Sequence, residues 1–221
     1  MNYCANLVRT HDYDRYLCAL FAPPAVRAAW CVLFAFNHEI ASIAEIVSEE
    51  MIGYIRLAWW REALDEIYAG KPVRKHPVAE ALAEVIHRYD LPRSEFDMLL
   101  QARAHDFQTE PFADMAALTE YCRNTSATLL RLCAIVAKVP VSEALDELGT
   151  GWAFAGLARS AKENLPASFA ELATQAKSHL EKAREVAKIF RPFLRVARFY
   201  TRRLEANKST ARWRVVMHLL F

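Results

Sequence analysis

The sequence predicts an all-α protein, and three observations carry that expectation. Only 5 glycines occur in 221 residues. Alanine and leucine fill the stretches between widely spaced prolines and glycines, a composition that favours helices over sheets. On the last long segments apolar residues recur every three or four positions, which is the helical period. At 221 residues one domain, or a domain of two lobes, is expected, long enough to bury a sizeable core.

The elements follow in order from caps and breakers. Pro23-Pro24 closes a first helix. Ala25 to about Ile46 forms a second, and Arg27, Asn37, His38 and Glu39 interrupt its apolar run. It therefore reads as a buried core helix and not as a membrane span. Ser48, followed by Glu49 and Glu50, predicts a capped start with acids on the positive end of the helix dipole, and Gly70 and Pro72 end that helix. Pro77 suits a first helical turn, and Leu91-Pro92 ends the segment it opens. Ser94-Glu95-Phe96-Asp97 resembles a capping box with Asp in place of Glu, opening a helix toward Phe107. Further helices are expected over about 113–139, 142–162, 168–190, 192–207 and from 210 to the end.

The five cysteines, Cys4, Cys18, Cys31, Cys122 and Cys133, form no C-x-x-C pair. Cys122 and Cys133 on one helix lie about 16 Å apart at 1.5 Å per residue, too far to bridge. Reduced, mostly buried thiols are expected, and no structural zinc. His38-Glu39 does not open an H-E-x-x-H site, because Ser42 stands at the second histidine position. No Gly-rich phosphate loop or nucleophile elbow is present. The N-terminal residues show neither a basic region leading into an apolar core nor an Arg-rich presequence, so no targeting signal is expected.

Charge is uneven although the net is only +2. From Leu172 onward twelve Lys/Arg face three acids, a balance of +9, which leaves −7 on the first 171 residues. Leu180, Ala183, Ala187, Phe190, Leu194, Ala197 and Leu204 recur at three or four spacing there, with the basic residues between them. Such a face either packs on the bundle as a solvated surface or touches anionic lipid or an acidic partner. Phe193, Phe199 and Tyr200 are explained as core, and no nucleic-acid motif accompanies them, so nucleic acid is not an expected partner.

Several runs resemble a known family. Tyr3-Cys4, Leu7-Val8-Arg9, Asp12-Tyr13, Tyr16-Leu17, Pro23 and Arg27 lead into Ala35-Phe36-Asn37-His38-Glu39-Ile40-Ala41. Val47-Ser48-Glu49, Ile52-Gly53, Arg56-Leu57, Trp59-Trp60, Ile67-Tyr68 and His76-Pro77-Val78-Ala79 follow. Together these look like the squalene/phytoene synthase family, from Tyr3 to about Tyr200. The Ala-Phe-Asn-x-Glu-Ile-Ala run looks most like the branch that assists assembly of respiratory complex I. The resemblance implies an isoprenoid synthase-like helical bundle around a central cavity, with residues 1–221 as a single such domain and a basic C-terminal part from about 172.

Active synthases of that family carry an Ala-Phe-x-Arg run leading into Asp-Asp-x-x-Asp. Here the carboxylate positions read Ala41, Ser42 and Glu45. Paired carboxylates at i and i+4 face the same way on a helix, and two such helices can hold the Mg²⁺ ions that neutralise a leaving diphosphate. One glutamate cannot. In the second motif Arg159 remains, while Ser160 and Asn164 stand where the synthases resemble Asp. Asn124-Thr125-Ser126-Ala127-Thr128 lacks the synthases' glycines, which makes close backbone approach to a ligand unfavourable there. Asn164-Leu165-Pro166 runs straight into the next helix without the further segment of the synthases, which shortens the cavity wall.

The candidate cavity-lining or vestigial substrate-site residues are Asn37, His38, Glu39, Glu45, Arg56, Arg61, Asp106, Tyr121 and Arg159. Burying Asn37, His38 and Glu39 without partners costs roughly several kcal/mol. They therefore either form an internal network, with Arg56 or Arg61 as partners, or line a retained pocket. Asp106 and Tyr121 match family positions, and either brace the bundle or face the pocket. Trp59-Trp60 reads as core more than as a stacking platform. The resemblance implies a non-catalytic protein acting in assembly of respiratory NADH dehydrogenase, with no cofactor and no metal. Its partner would be a complex I subunit or assembly intermediate. Its location would be the cytoplasm or the inner face of the respiratory membrane, the matrix side in a mitochondrion. The alternatives are a Mg²⁺-dependent head-to-head prenyltransferase and a prenyl-lipid or quinone binder.

Overall fold

A computed structural model of the chain describes residues 3–47, 49–108, 110–160 and 165–205, the side chains of Ser160 and Glu205 apart. Among the described residues all regular structure is helical. Internal contacts divide the chain into two compact units, Met1–Thr109 with Leu132–Val139, and Glu110–Arg131 with Pro140–Phe221.

In the first unit α1 (Tyr3–His11) and α2 (Tyr13–Ala19) replace the single opening helix expected from sequence. Asp12 breaks it: its carboxylate accepts from the Arg15 amide at 3.3 Å and from the Arg15 guanidinium at 2.6 Å, so it serves as an N-cap. Pro24 occupies the first position of α3 (Pro24–Ala41), where a missing N–H does no harm. Trp30 to Phe36 of α3 are all buried, and the Trp30 indole donates to the Cys133 carbonyl at 2.8 Å. The helix stops at Ser42, and Ile43–Ile46 forms a separate turn, α4. The expected helix to Ile46 is therefore two. The cap expected at Ser48 lies outside the described residues. Glu49 stands at the N-cap of α5 (Glu50–Tyr68) without a side-chain hydrogen bond.

In α6 (Pro77–Tyr89) Val78, Ala79, Leu82, Ala83, Val85 and Ile86 bury one stripe. The expected capping box at Ser94 does not form, because α7 (Arg93–Arg103) begins two residues after Leu91, with Pro92 at its N-cap. Asp97 accepts instead from Arg93 Nε at 3.0 Å. A 3-10 turn, Ala104–Phe107, follows. Phe36 packs edge-on to Trp60 and to Phe96, with centroids 5.2 and 5.6 Å apart, and these rings centre the unit's core.

In the second unit Asp114 caps α8 (Met115–Cys122) by accepting from the Ala117 amide at 2.8 Å. A π-helical turn, Arg123–Ala127, joins it to α9 (Thr128–Ala137), whose residues from Leu132 belong to the first unit. The apolar residues of α10 (Glu143–Ser160) spread around the helix, as fits an element packed on several sides. It lies against the π turn, α11 (Phe169–Lys182) and α12 (Arg191–Glu205). A Cβ on Gly149 would sit 2.3 Å from Ala127 Cα, so only glycine allows this approach. Ser168 and Glu171 open α11 with a reciprocal capping box. The helix expected to reach Phe190 stops at Lys182. Val186 and Phe190 both turn inward and are buried, and the chain between them is extended at Ala187. Residues 161–164 and the helix expected from 210 lie outside the described residues. No described helix is long and apolar enough to cross a membrane.

Candidate functional site

Asn37, His38 and Glu39 follow one another on α3 and point about 100° apart, so one environment cannot serve all three. Asn37 is 5% exposed and faces inward. Its Oδ1 lies 3.5 Å from Arg103 Nη2, and Arg103 Nη1 donates to Asp106 Oδ2 at 3.1 Å. Arg103 thus joins Asn37 to Asp106, and neither Arg56 nor Arg61 is the partner of Asn37 in that group. His38 turns the other way and stacks on His11, with centroids 4.5 Å apart and planes inclined by 16°. Burial first, then His11, lowers its pKa from the ordinary value, and Glu39, Asp12 and Glu45 oppose the shift.

Glu39 lines a cleft of about 270 Å³ with Ser42, Ile43, Ile46, Arg56, Trp59, Trp60 and His76. Trp59 and Trp60 meet edge to face at 5.0 Å, and both contact the His76 imidazole, at 5.5 and 5.2 Å. Arg74 covers Trp59 at 5.4 Å from the ring centroid and is held by Glu66 at 2.9 Å and Glu62 at 2.8 Å. Trp60 is core, as expected, while Trp59 is a cleft wall. The cleft thus offers one carboxylate, one guanidinium and one imidazole against two indoles. Such a surface can hydrogen-bond and stack on a partner group.

The Mg²⁺ ions of an active synthase do not fit these residues. Glu39 is the one carboxylate among those lining the cleft, Ala41 and Ser42 cannot supply another, and Glu45 is exposed on the separate turn α4. Among the described residues no group of three His, Cys, Asp or Glu is placed to hold a metal. Arg61 is exposed on α5, off the cleft lining.

Two candidates belong to the second unit. Tyr121 packs in an apolar cluster and lies 5.1 Å from the Phe112 ring, while its carbonyl accepts from Thr125 Oγ1 at 2.8 Å. Arg159 lies 4.4 Å over the Tyr200 ring, a cation–π contact. Ser160 beyond its backbone, and Asn164, lie outside the description. The backbone of the Asn124 stretch is closely approached, but by Gly149 of α10. Sequence reading missed Arg103, whose i,i+3 spacing to Asp106 was the available signal. It also missed the Gly149-Thr150-Gly151 run, whose two glycines within a helix mark close packing.

Fold and cleft together define an isoprenoid synthase-like helical protein whose turn from α3 into α4 carries Ala41, Ser42 and Glu45. Two solved structures share the fold: a dehydrosqualene synthase, at TM-score 0.79 and 17% identity over 99% of this chain and 93% of the other, and a squalene synthase of Alicyclobacillus acidocaldarius, at TM-score 0.75 and 17% identity over 92% and 90%. The sequence model of the squalene/phytoene synthase family matches residues 8–167, and the chain belongs to that family. It is 34% identical over 130 residues to a Bos taurus protein named NADH dehydrogenase (ubiquinone) complex I, assembly factor 6, a match spanning 59% of this chain and 39% of that protein. The Drosophila melanogaster homolog of that factor is 30% identical over 166 residues, 72% of this chain and 49% of the other. A phytoene synthase of Rhodobacter capsulatus is 24% identical over 167 residues, 74% and 49%. The chain thus spans between about two fifths and half of the length of these curated relatives.

Proposed function

We propose that this chain serves the assembly of respiratory NADH dehydrogenase as a non-catalytic member of its family, working at the inner face of the respiratory membrane. The observation that carries the reading is the turn from α3 into α4, where Ala41, Ser42 and an exposed Glu45 leave no pair of acids for diphosphate-bound metal. The assembly-factor relatives also share more identity with this chain than the phytoene synthase does.

The contact with the partner, a complex I subunit or assembly intermediate, is placed at α4 and the start of α5. Ile46, Met51 and Ile55 are between 61% and 67% exposed there, and Ile52 is exposed beside them. Apolar side chains so displayed mark an interaction face. The exposed acids Glu45, Glu49 and Glu50 around them disfavour an anionic bilayer, so the occupant is a protein segment with apolar and basic side chains. The basic C-terminal part supplies the membrane contact instead.

Deletion of the gene, followed by native-gel analysis of NADH dehydrogenase, tests the reading. Loss of the assembled complex, restored by the wild-type chain and not by Met51→Glu/Ile55→Glu, is the expected result. Normal assembly in the deletion strain would overturn it.

A further inference from the structure

Four of the twelve basic residues of the C-terminal part meet at one place in the second unit. Between α11 and α12 lies a cavity of about 200 Å³ whose walls include Lys177, Arg184, Arg198 and Arg202, with Glu181 as the acid among its lining. Four cations against one acid leave a local charge of about +3 in a small volume, an arrangement that attracts a compact anion. Arg198 is half-buried and donates through Nη2 to the Leu180 carbonyl at 2.8 Å, which fixes its guanidinium across the C-terminal end of α11. Burial first, then Arg184 and Arg202, pull the Arg198 guanidinium below its ordinary pKa, as expected where like charges crowd one another. Arg184 and Arg202 are exposed at the rim. Thr201 lines the floor, with its hydroxyl donating to the Ala197 carbonyl at 3.0 Å.

We infer that this cavity binds the phosphate group of a phosphate monoester, gripped by Arg184, Arg198 and Arg202 with Lys177 beside them. A monoester carries a charge near −2 and three strong acceptor oxygens, which suits several guanidinium forks better than the single charge of a phosphodiester does. The group belongs either to a lipid headgroup or to a soluble metabolite. The inference deepens the membrane part of the reading above, since a discrete pocket differs from a diffusely basic surface.

Calorimetric titration of the full chain with sn-glycerol 3-phosphate tests it. The wild type is expected to bind saturably, Arg184→Gln/Arg202→Gln about tenfold more weakly, and Arg191→Gln/Arg195→Gln like the wild type. The second pair removes equal charge from exposed positions on α12 outside the cavity lining. No saturable binding by the wild type, or equal weakening in both double variants, would overturn the inference. Flotation with phosphatidylcholine vesicles then names the source. Preference for phosphatidic acid over phosphatidylserine at equal charge, reversed by glycerol phosphate, assigns a lipid headgroup, and flotation without that preference assigns a soluble monoester. Flotation that both double variants weaken equally would refute the pocket while leaving membrane attachment in place. Failure of the deletion experiment above would refute the assembly role and leave the pocket standing.

Discussion

His179 Nδ1 and Glu147 Oε2 lie 2.6 Å apart, with both side chains buried, and tie α11 to α10 across 32 residues of chain. The Phe154 ring runs parallel to the imidazole, 5.6 Å away and inclined by 9°, and Lys182 Nζ reaches within 4.0 Å of the same carboxylate oxygen. A polar pair inside an apolar unit holds register only while both members are satisfied.

Removing one member should therefore be costly. Glu147→Ala leaves the buried imidazole without its acceptor and is expected to lower unfolding free energy by about 3 kcal/mol. Glu147→Gln keeps an acceptor oxygen in place and is expected to lose only about 1 kcal/mol. Urea denaturation measures both, and equal losses would show that packing, not the hydrogen bond, matters at this position.

Two glycines of α10 are expected to respond in opposite directions. Gly149→Ala would place a methyl against the backbone of Ala127, so despite alanine's better helix propensity it should destabilise by about 1–3 kcal/mol. At Gly156 an added Cβ meets nothing within 4 Å, and Gly156→Ala should gain up to ~1 kcal/mol. Thermal melts of the two variants provide the comparison.

The lowered pKa of His38 gives a pH dependence of definite sign. The unfolded chain takes up a proton near the ordinary value of 6.5, while the folded chain resists until lower pH. This contribution to stability is full above that value and is lost as pH falls from it through the folded value. His38→Gln should accordingly show a smaller drop in Tm than the wild type between about pH 7.5 and about pH 5. Identical pH profiles would contradict this.

All five cysteines are buried. Burial is the main cause that pushes the thiols of Cys4 and Cys31 up to about 11 and those of Cys18 and Cys133 well above their usual range. At pH 8 a thiol of that kind is about one thousandth thiolate. Native protein is expected to resist a disulfide reagent over minutes, and denatured protein to react at all five. Rapid reaction of one native thiol would place it on the surface.

Local signals carried much of this architecture. Pro77 and Ser168 open helices as their caps require, and the apolar stripe of α6 follows its sequence period. What stayed hidden is non-local. Ala41-Ser42-Ile43-Ala44-Glu45 has good helix formers, so the break at Ser42 has no sequence mark. Nor does the break after Lys182, which the inward turns of Val186 and Phe190 accompany. At the site, the absence of an acid at Ala41 and Ser42 could be read directly. The pairing of Asn37 with Arg103 could not, because 66 residues separate them. Ser94 misled because a cap pattern two residues inside a helix looks the same in sequence as one at its start.

The proposed role requires that this chain perform no metal-dependent diphosphate chemistry. The most direct test is incubation of purified protein with labelled farnesyl and geranylgeranyl diphosphate, with and without Mg²⁺ and a reductant, scoring diphosphate release and prenyl products. No turnover above a boiled control is predicted. Mg²⁺-dependent release of diphosphate would contradict the claim and would make Glu39 and Glu45 the first residues to mutate.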